Sequence, residues 1–284
     1  MLNALTIDLE DYYQVTAFDH VIDRSTWDIM ESRIEQNVER VLSILDEYKV
    51  KATFFALGWI AERYPILIRT IINEGHEVAS HGYNHTMITY HSPASFKEDI
   101  NKTKQILEDI TGTKVKGYRA PSFSINNSSL WALNILCEQD YAYDSSIFPI
   151  RHDRYGMPHA QRFPHTIEMN GNTIREFPPS TIQISGWNCP MAGGGYLRLF
   201  PIKFIEWGIT RLNEIDKQPA IIYLHPWELD PSQPRIPVGW FNRFRHYLNL
   251  NSTETKLRTL IKNFKFTTLN RLCTQLFSER TQSP

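Results

Sequence analysis

Glu77-Val78-Ala79-Ser80-His81-Gly82-Tyr83-Asn84-His85 is the stretch on which the reading of the chain turns. A short run suited to one β-strand ends in two histidines four residues apart. The pair gains meaning from Asp8-Leu9-Glu10-Asp11, which closes the first apolar run, Leu5-Thr6-Ile7. Two imidazoles and a carboxylate make a facial ligand set for a divalent metal with positions left open for water and substrate. A second carboxylate beside that set has the chemistry of a general base. Together these residues outline a metal-assisted hydrolase.

Working outward from His81, strand and helix signals alternate. Strands are expected at 5–9, 52–57, 77–80, 115–118, 141–143, 174–177 and 220–224. Ile34, Val38, Val41, Leu42 and Leu45 recur at helical spacing. One helix is expected from about Trp59 to Asn73, stopped at Gly75, which suits a helix C′ position. Another opens at Ser92-Pro93, an N-cap serine with proline at the first helical position. Further helices fit about 128–139 and 201–216. Beyond Pro226 the chain changes character, with Pro231, Pro234 and Pro237 in a loop and then helices rich in Leu, Phe, Arg and Lys. Such alternation means a mostly parallel sheet with helices outside it, as an open doubly wound sheet or a barrel.

Asp8, His81, Arg119, Asp144 and His225 each fall at or just past the C-terminal end of an expected strand. That edge holds the active site in barrels and in open α/β sheets. Asp8 and Glu10 share a strand face at i and i+2, which favours them over Asp11. Arg119 can pair with Asp8 and orient it. An aspartate accepting a hydrogen bond from His225 raises its pKa, which suits that imidazole to protonate a leaving amine. Trp187, Tyr196, Trp227 and Trp240 are candidate faces for sugar rings.

The 284 residues carry a net charge of −1, with 42% hydrophobic and 21% charged residues. That balance gives no electrostatic case for a nucleic-acid partner. No apolar segment approaches the ~20 residues of a membrane span. Three cysteines without a C-x-x-C pair argue against a disulfide framework or zinc ribbon and fit a reducing compartment. With no basic, apolar leader visible, a cytoplasmic location is expected.

Five ordered motifs carry a resemblance to the NodB-like polysaccharide deacetylases, carbohydrate esterase family four. They are Asp8-Leu-Glu10-Asp11, His81-Gly-Tyr-Asn-His85, Arg119-Ala-Pro121, Asp144-Ser-Ser and Leu224-His225. The segments around Glu228-Leu229-Asp230-Pro231 and Arg243-Phe244-Arg245-His246-Tyr247 resemble a subgroup tied to exosortase and exopolysaccharide biosynthesis. The resemblance implies a single α/β domain over 1–284, a deformed (β/α) barrel with 228–284 as a C-terminal helical extension. It implies removal of N-acetyl groups from amino sugars of a poly- or oligosaccharide that is free, nucleotide-linked or lipid-linked.

By the same resemblance His81, His85 and a first-motif carboxylate bind a divalent metal, usually Zn2+. The family pattern has two adjacent aspartates where this chain has Asp8-Leu-Glu10-Asp11. Glu10 is therefore the first choice of ligand, with Asp11 held open. Asp8 is then the general base oriented by Arg119, and His225 the general acid tuned by Asp144. Pro121, Tyr196 and Trp227 are the candidate substrate contacts. Two other readings stand beside this one: an allantoinase-like hydrolase of a non-sugar C–N bond, and an inactive carbohydrate-binding scaffold.

Overall fold

The composition of the first strand sets what must surround it. β1 (Leu2–Leu9) is buried from Asn3 onward, and a strand apolar on both faces is stable only with helices on either side. A computed structural model, which describes residues 1–278, shows this arrangement. Amphipathic α1 (Ile34–Glu47) buries Ile34, Val38, Val41, Leu42 and Leu45 against the sheet and leads into β2 (Thr53–Ala56). The single helix expected over 59–73 is two, α2 (Gly58–Arg63) and α3 (Pro65–Asn73). Pro65 has no N–H to continue the first and forces Tyr64 out of the helical region, while itself starting the second.

β3 (Glu77–Ser80) falls where expected. α4 (Pro93–Thr111) is capped by Ser92, whose hydroxyl accepts from the Ser95 N–H. Then come β4 (Gly117–Tyr118), α5 (Trp131–Glu138) and β5 (Tyr143–Asp144). β6 (His165–Met169) and β7 (Asn172–Glu176) form a hairpin across Asn170-Gly171, both at positive φ. β8 (Thr181–Ile184) and β9 (Trp187–Pro190) repeat the device across Ser185-Gly186. The chain continues through α6 (Gly194–Leu199), α7 (Ile202–Glu214) and β10 (Ile221–Leu224). It ends with α8 (Trp240–Tyr247), α9 (Leu250–Asn263), β11 (Lys265–Thr267) and α10 (Leu269–Ser278).

The result is a mixed α/β fold in which the main sheet runs β10-β1-β2-β3-β4-β5-β7-β6, parallel except for β6. The C-terminal extension also supplies a strand: β11 pairs with Leu2–Ala4, the first half of β1. Residues 279–284 of that expected extension lie outside the described residues.

The hydrogen-bonded path is open between its end strands, β6 and β10. Phe177 is followed by Pro178-Pro179, which have no N–H to donate to a ladder. The seam is bridged instead by single contacts. Ser180 Oγ accepts from the Ile221 N–H, and the Tyr223 N–H donates to Ala192 O at 2.8 Å. Gly193 completes this crossing beside Tyr223, where a Cβ would lie 1.7 Å from the Tyr223 carbonyl oxygen. Gly193→Ala is therefore expected to lower the unfolding free energy by about 3 kcal/mol. Urea denaturation reads this directly, and a change within about 0.5 kcal/mol would show that the seam is not packed there.

Candidate active site

The strand ends converge as the alternation requires. β1 brings Asp8 to the C-terminal edge beside Phe55, and the chain turns at once, with the Glu10 N–H donating to Asp8 O. Leu9 goes into the core while Asp8 and Glu10 face the pocket. His81 follows β3, Arg119 follows β4 and His225 follows β10. His85 reaches the cluster from a loop residue at φ 57, an uncommon backbone state for a histidine. Arg24 holds that loop by donating to the carbonyls of Asn84 and His85.

Glu10, His81 and His85 are buried, and one donor atom from each lies within 4.8 Å of the others. His81 Nδ1 meets the Arg119 carbonyl oxygen at 2.8 Å, which fixes the proton there and leaves Nε2 free. His85 Nδ1 faces Thr16 Oγ1 at 3.4 Å, and its Nε2 lies 2.8 Å from Glu10 Oε2. That Glu10 oxygen is buried yet accepts no well-aligned hydrogen bond, as a ligand oxygen turned toward an ion would be. Burial pushes the His81 pKa down to about 4, so the ring is neutral and able to ligate. Burial opposes the Glu10 anion, but His85 and His225 outweigh it and bring its pKa down to about 2. The donor set fits one divalent cation.

Asp11 does not belong to this set. Its carboxylate accepts from the N–H groups of Tyr12 and Arg33 and from Ser32 Oγ, tying the strand end to the start of α1. Its oxygens are engaged by these donors, and no Asp11 atom is among the donor atoms that converge with those of Glu10, His81 and His85.

Asp8 is gripped from the other side. Arg119, fully buried, donates from Nη1 to Asp8 Oδ1 at 2.6 Å and to Thr6 Oγ1 at 2.8 Å. Its Nε and Nη2 donate to the oxygen atoms of Ser145. Asp8 Oδ2 is left facing His225, 3.8 Å from Nε2.

The partner expected for His225 was Asp144, and the structure places that residue elsewhere. Asp144 accepts from Ser146 Oγ at 2.6 Å and from the Ser146 N–H, and it forms a buried carboxyl pair with Glu176. Burial pushes both carboxyls up, Glu176 most strongly, so Glu176 carries the proton of that pair. The residue beside His225 is Glu228, one turn further on. Its Oε2 lies 3.3 Å from His225 Nδ1 and accepts from the His225 backbone N–H at 3.0 Å. Arg198, itself buried, donates from Nε to Glu228 Oε1 at 2.7 Å. Burial disfavours the His225 cation, but Glu10, Glu228 and Asp8 outweigh it and push the pKa up to about 9.

The substrate-contact expectations are also revised. Pro121 is buried inside a short turn, and its neighbours Ser122 and Phe123 line the pocket instead. Trp227 lines it too, but its ring is 3% exposed and stacks on the imidazoles of His225 and His246. Its Nε1 donates to Glu10 Oε1, so it orients the acid and the ligand rather than offering a free face to a sugar. Tyr196 lines the adjoining cavity.

Glu228 and Arg198 carry the part of the site that reading the sequence for chemistry missed. Glu228 stood three residues after His225, the spacing of a capping contact, and that was the available signal. Nothing in the sequence pointed to Arg198.

Residues 23–137, which hold His81, His85 and Arg119, match the family model described as polysaccharide deacetylase. Residues 145–274, which hold Arg198, His225 and Glu228, match a model described as a domain of unknown function, DUF3473. The chain is 36% identical over 94 residues to a peptidoglycan-N-acetylglucosamine deacetylase of Bacillus cereus, 33% of this chain and 34% of that protein. It is 27% identical over 113 residues to a peptidoglycan deacetylase of Helicobacter pylori, 40% and 38% of the two. The chain thus spans about a third of the length of these curated relatives. Among solved structures it is similar to a candidate polysaccharide deacetylase from Mycobacterium smegmatis. That likeness has a TM-score of 0.69 and 20% identity, over 98% of this chain and 91% of that one. PuuE allantoinase gives a TM-score of 0.63 and 14% identity over 99% and 92%. At such identities the two structures share the fold.

Glu10→Gln is expected to weaken binding of a single divalent ion by about 100-fold or more, whereas Asp11→Asn retains it. Metal content after equilibrium dialysis decides between the carboxylates, and the reverse pattern would transfer the ligand role to Asp11.

Proposed function

We propose, from the match of residues 23–137 to the polysaccharide deacetylase model, that the chain hydrolyses the acetamide of N-acetylated amino sugars in a poly- or oligosaccharide. One observation carries the reading. A ligand set of two histidines and a carboxylate lies within one pocket of about 190 Å³ with a separately held carboxylate and a cationic imidazole. Those are the three functions that amide hydrolysis needs, because an amide carbonyl is weakly electrophilic and its amine leaves poorly unless protonated.

Glu10, His81 and His85 would hold a divalent ion, zinc in our reading, whose Lewis acidity would activate a water and polarise the amide carbonyl. Asp8 accepts the proton of the attacking water on Oδ2, the oxygen that Arg119 leaves free. His225 then protonates the departing nitrogen from Nε2, the ring atom facing Asp8 and Glu10. Glu228 stabilises the His225 cation, and Arg198 keeps Glu228 in place. The amine and acetate are released, Asp8 gives up the proton it took, and His225 regains one, which restores both groups.

For the finer assignment we favour an exopolysaccharide precursor met in the cytoplasm, with peptidoglycan as the competing polymer. The tail whose sequence resembles the exopolysaccharide subgroup supports this, since its Phe244, Arg245 and His246 line the site and the adjoining cavity. No helix among the described residues is long and apolar enough to cross a membrane.

Acetate release from N-acetylglucosamine oligomers, after chelation and again after adding zinc, tests the reading. Zinc-restored release is expected, and no release from a protein shown to bind zinc would move the search to lipid-linked precursors or to a non-sugar amide. Asp8→Asn should keep the metal and lose about 10²–10⁴-fold in turnover. Loss of metal in that variant would make Asp8 a ligand. Glu228→Gln removes a charge that raises the His225 pKa. His225 acts as its acid form, so the alkaline limb of the kcat/KM profile should move to lower pH. An unmoved limb would detach Glu228 from the acid.

A further inference from the structure

Beside the catalytic pocket lies a second cavity of about 380 Å³ with a different chemistry. The two are continuous, because Ser122, Tyr155, Gly195, Arg198, Tyr223 and Arg245 line both. The catalytic side presents carboxylates and imidazoles. The outer side presents Leu199, Phe241, Phe244 and Leu248, with the rings of Tyr155 and Tyr196. A flanking sugar of a polymer needs polar partners around its ring edges, and these walls offer few.

Two arginines flank this route: Arg245 lines both cavities and Arg154 the outer one. Arg198 is not one of them, since its guanidinium is taken by Glu228 and by the carbonyls of His246 and Leu248. Arg154 donates only to the neutral side chain of Asn242 in its charged fork. Arg245 lies over the Phe241 ring at 4.1 Å and meets the half-exposed Asp153 at 3.5 Å, a weak surface pair that a multivalent anion can displace. The surrounding chain adds positive charge: from Pro231 to Thr253 there is no acidic residue, while Arg235, Arg243 and Arg245 are present.

The apolar wall does not stop at the cavity. α8 leaves Phe241 45%, Phe244 51% and Trp240 79% exposed, three aromatic rings on one short helix beside the opening. Uncovered aromatic surface of this kind, joined to a pocket and ringed by cations, is a binding surface for an apolar chain attached to an anion.

We propose that this cavity takes the hydrocarbon chain of a lipid-linked amino sugar whose linkage is a phosphate or diphosphate. The sugar reaches the catalytic pocket, the anion lies at Arg245 and Arg154, and the chain runs along Phe241, Phe244, Leu199 and Leu248 toward Trp240. The sugar end of this assignment rests on the deacetylase reading, whereas the anion and the chain rest on the cavity itself.

Farnesyl diphosphate is the probe, titrated calorimetrically into the full-length protein, with acetate release from N-acetylglucosamine oligomers measured alongside. Farnesyl diphosphate is expected to bind, and inorganic pyrophosphate and farnesol, each with half of the recognised chemistry, to bind about tenfold more weakly or worse. Phe244→Ser and Arg245→Gln, both at partly exposed positions, should each weaken binding by about tenfold. Absence of binding, or binding that neither variant changes, overturns the assignment. UDP-N-acetylglucosamine binding as tightly as farnesyl diphosphate overturns the hydrocarbon in favour of a nucleotide. Acetate release without farnesyl diphosphate binding defeats this subsite alone. Binding without release from free oligomers upholds the subsite and confines the deacetylase reading to lipid-linked sugars.

Discussion

Arg119 is the residue through which the site is assembled. Its guanidinium, fully buried and 4.2 Å from the centre of the Phe55 ring, joins Asp8 and Thr6 on β1 to Ser145 after β5. Its backbone carbonyl fixes the tautomer of His81. One residue thus orients the base and sets a metal ligand. Burying such a cation is tolerable only with its hydrogen bonds complete, and removing one partner of a buried pair costs about 3–5 kcal/mol. Stability and geometry are therefore coupled here. The sheet cannot easily hold its central strand ends together without also holding Asp8 in its working orientation.

Electrostatics then divides the carboxylates by role. Glu10 faces histidines and is held as an anion. Asp11, adjacent in sequence, faces N–H groups and serves as a strut. Glu228 pairs with Arg198 and supports the His225 cation, while Asp144 and Glu176 share a proton out of reach of that histidine. Five acidic groups near one sheet edge thus take distinct tasks, set by which donors and cations each one meets.

The strand order around the site was legible because periodicity and strand-end placement report backbone directly. Leu5–Leu9 and Glu77–Ser80 could be read as strands, and Asp8, His81, Arg119 and His225 as pocket residues, without side-chain geometry. What escaped depends on contacts distant in sequence. Arg198 lies on a six-residue helix with no motif of its own, and it matters only because folding sets it against Glu228. Asp144 misled because a strand-end aspartate is compatible with His225 as a partner, and only the intervening Ser146 and Glu176 divert it. The β6–β7 hairpin was readable from Asn170-Gly171, a strong two-residue turn signal, but the mixed polarity of its strands concealed it. Pro65 gave a plain sign of a break that the apolar pattern on either side overrode.

The account stands on the division between Glu10 as ligand and Asp8 as an unligated base held by Arg119. Anomalous diffraction at the zinc edge, from crystals of the zinc-loaded protein, tests that division most directly. The result predicted is one ion bound by Glu10, His81 and His85, with Asp8 still paired to Arg119 and outside the coordination sphere. An ion coordinated by Asp8 or Asp11 in place of Glu10 would contradict it.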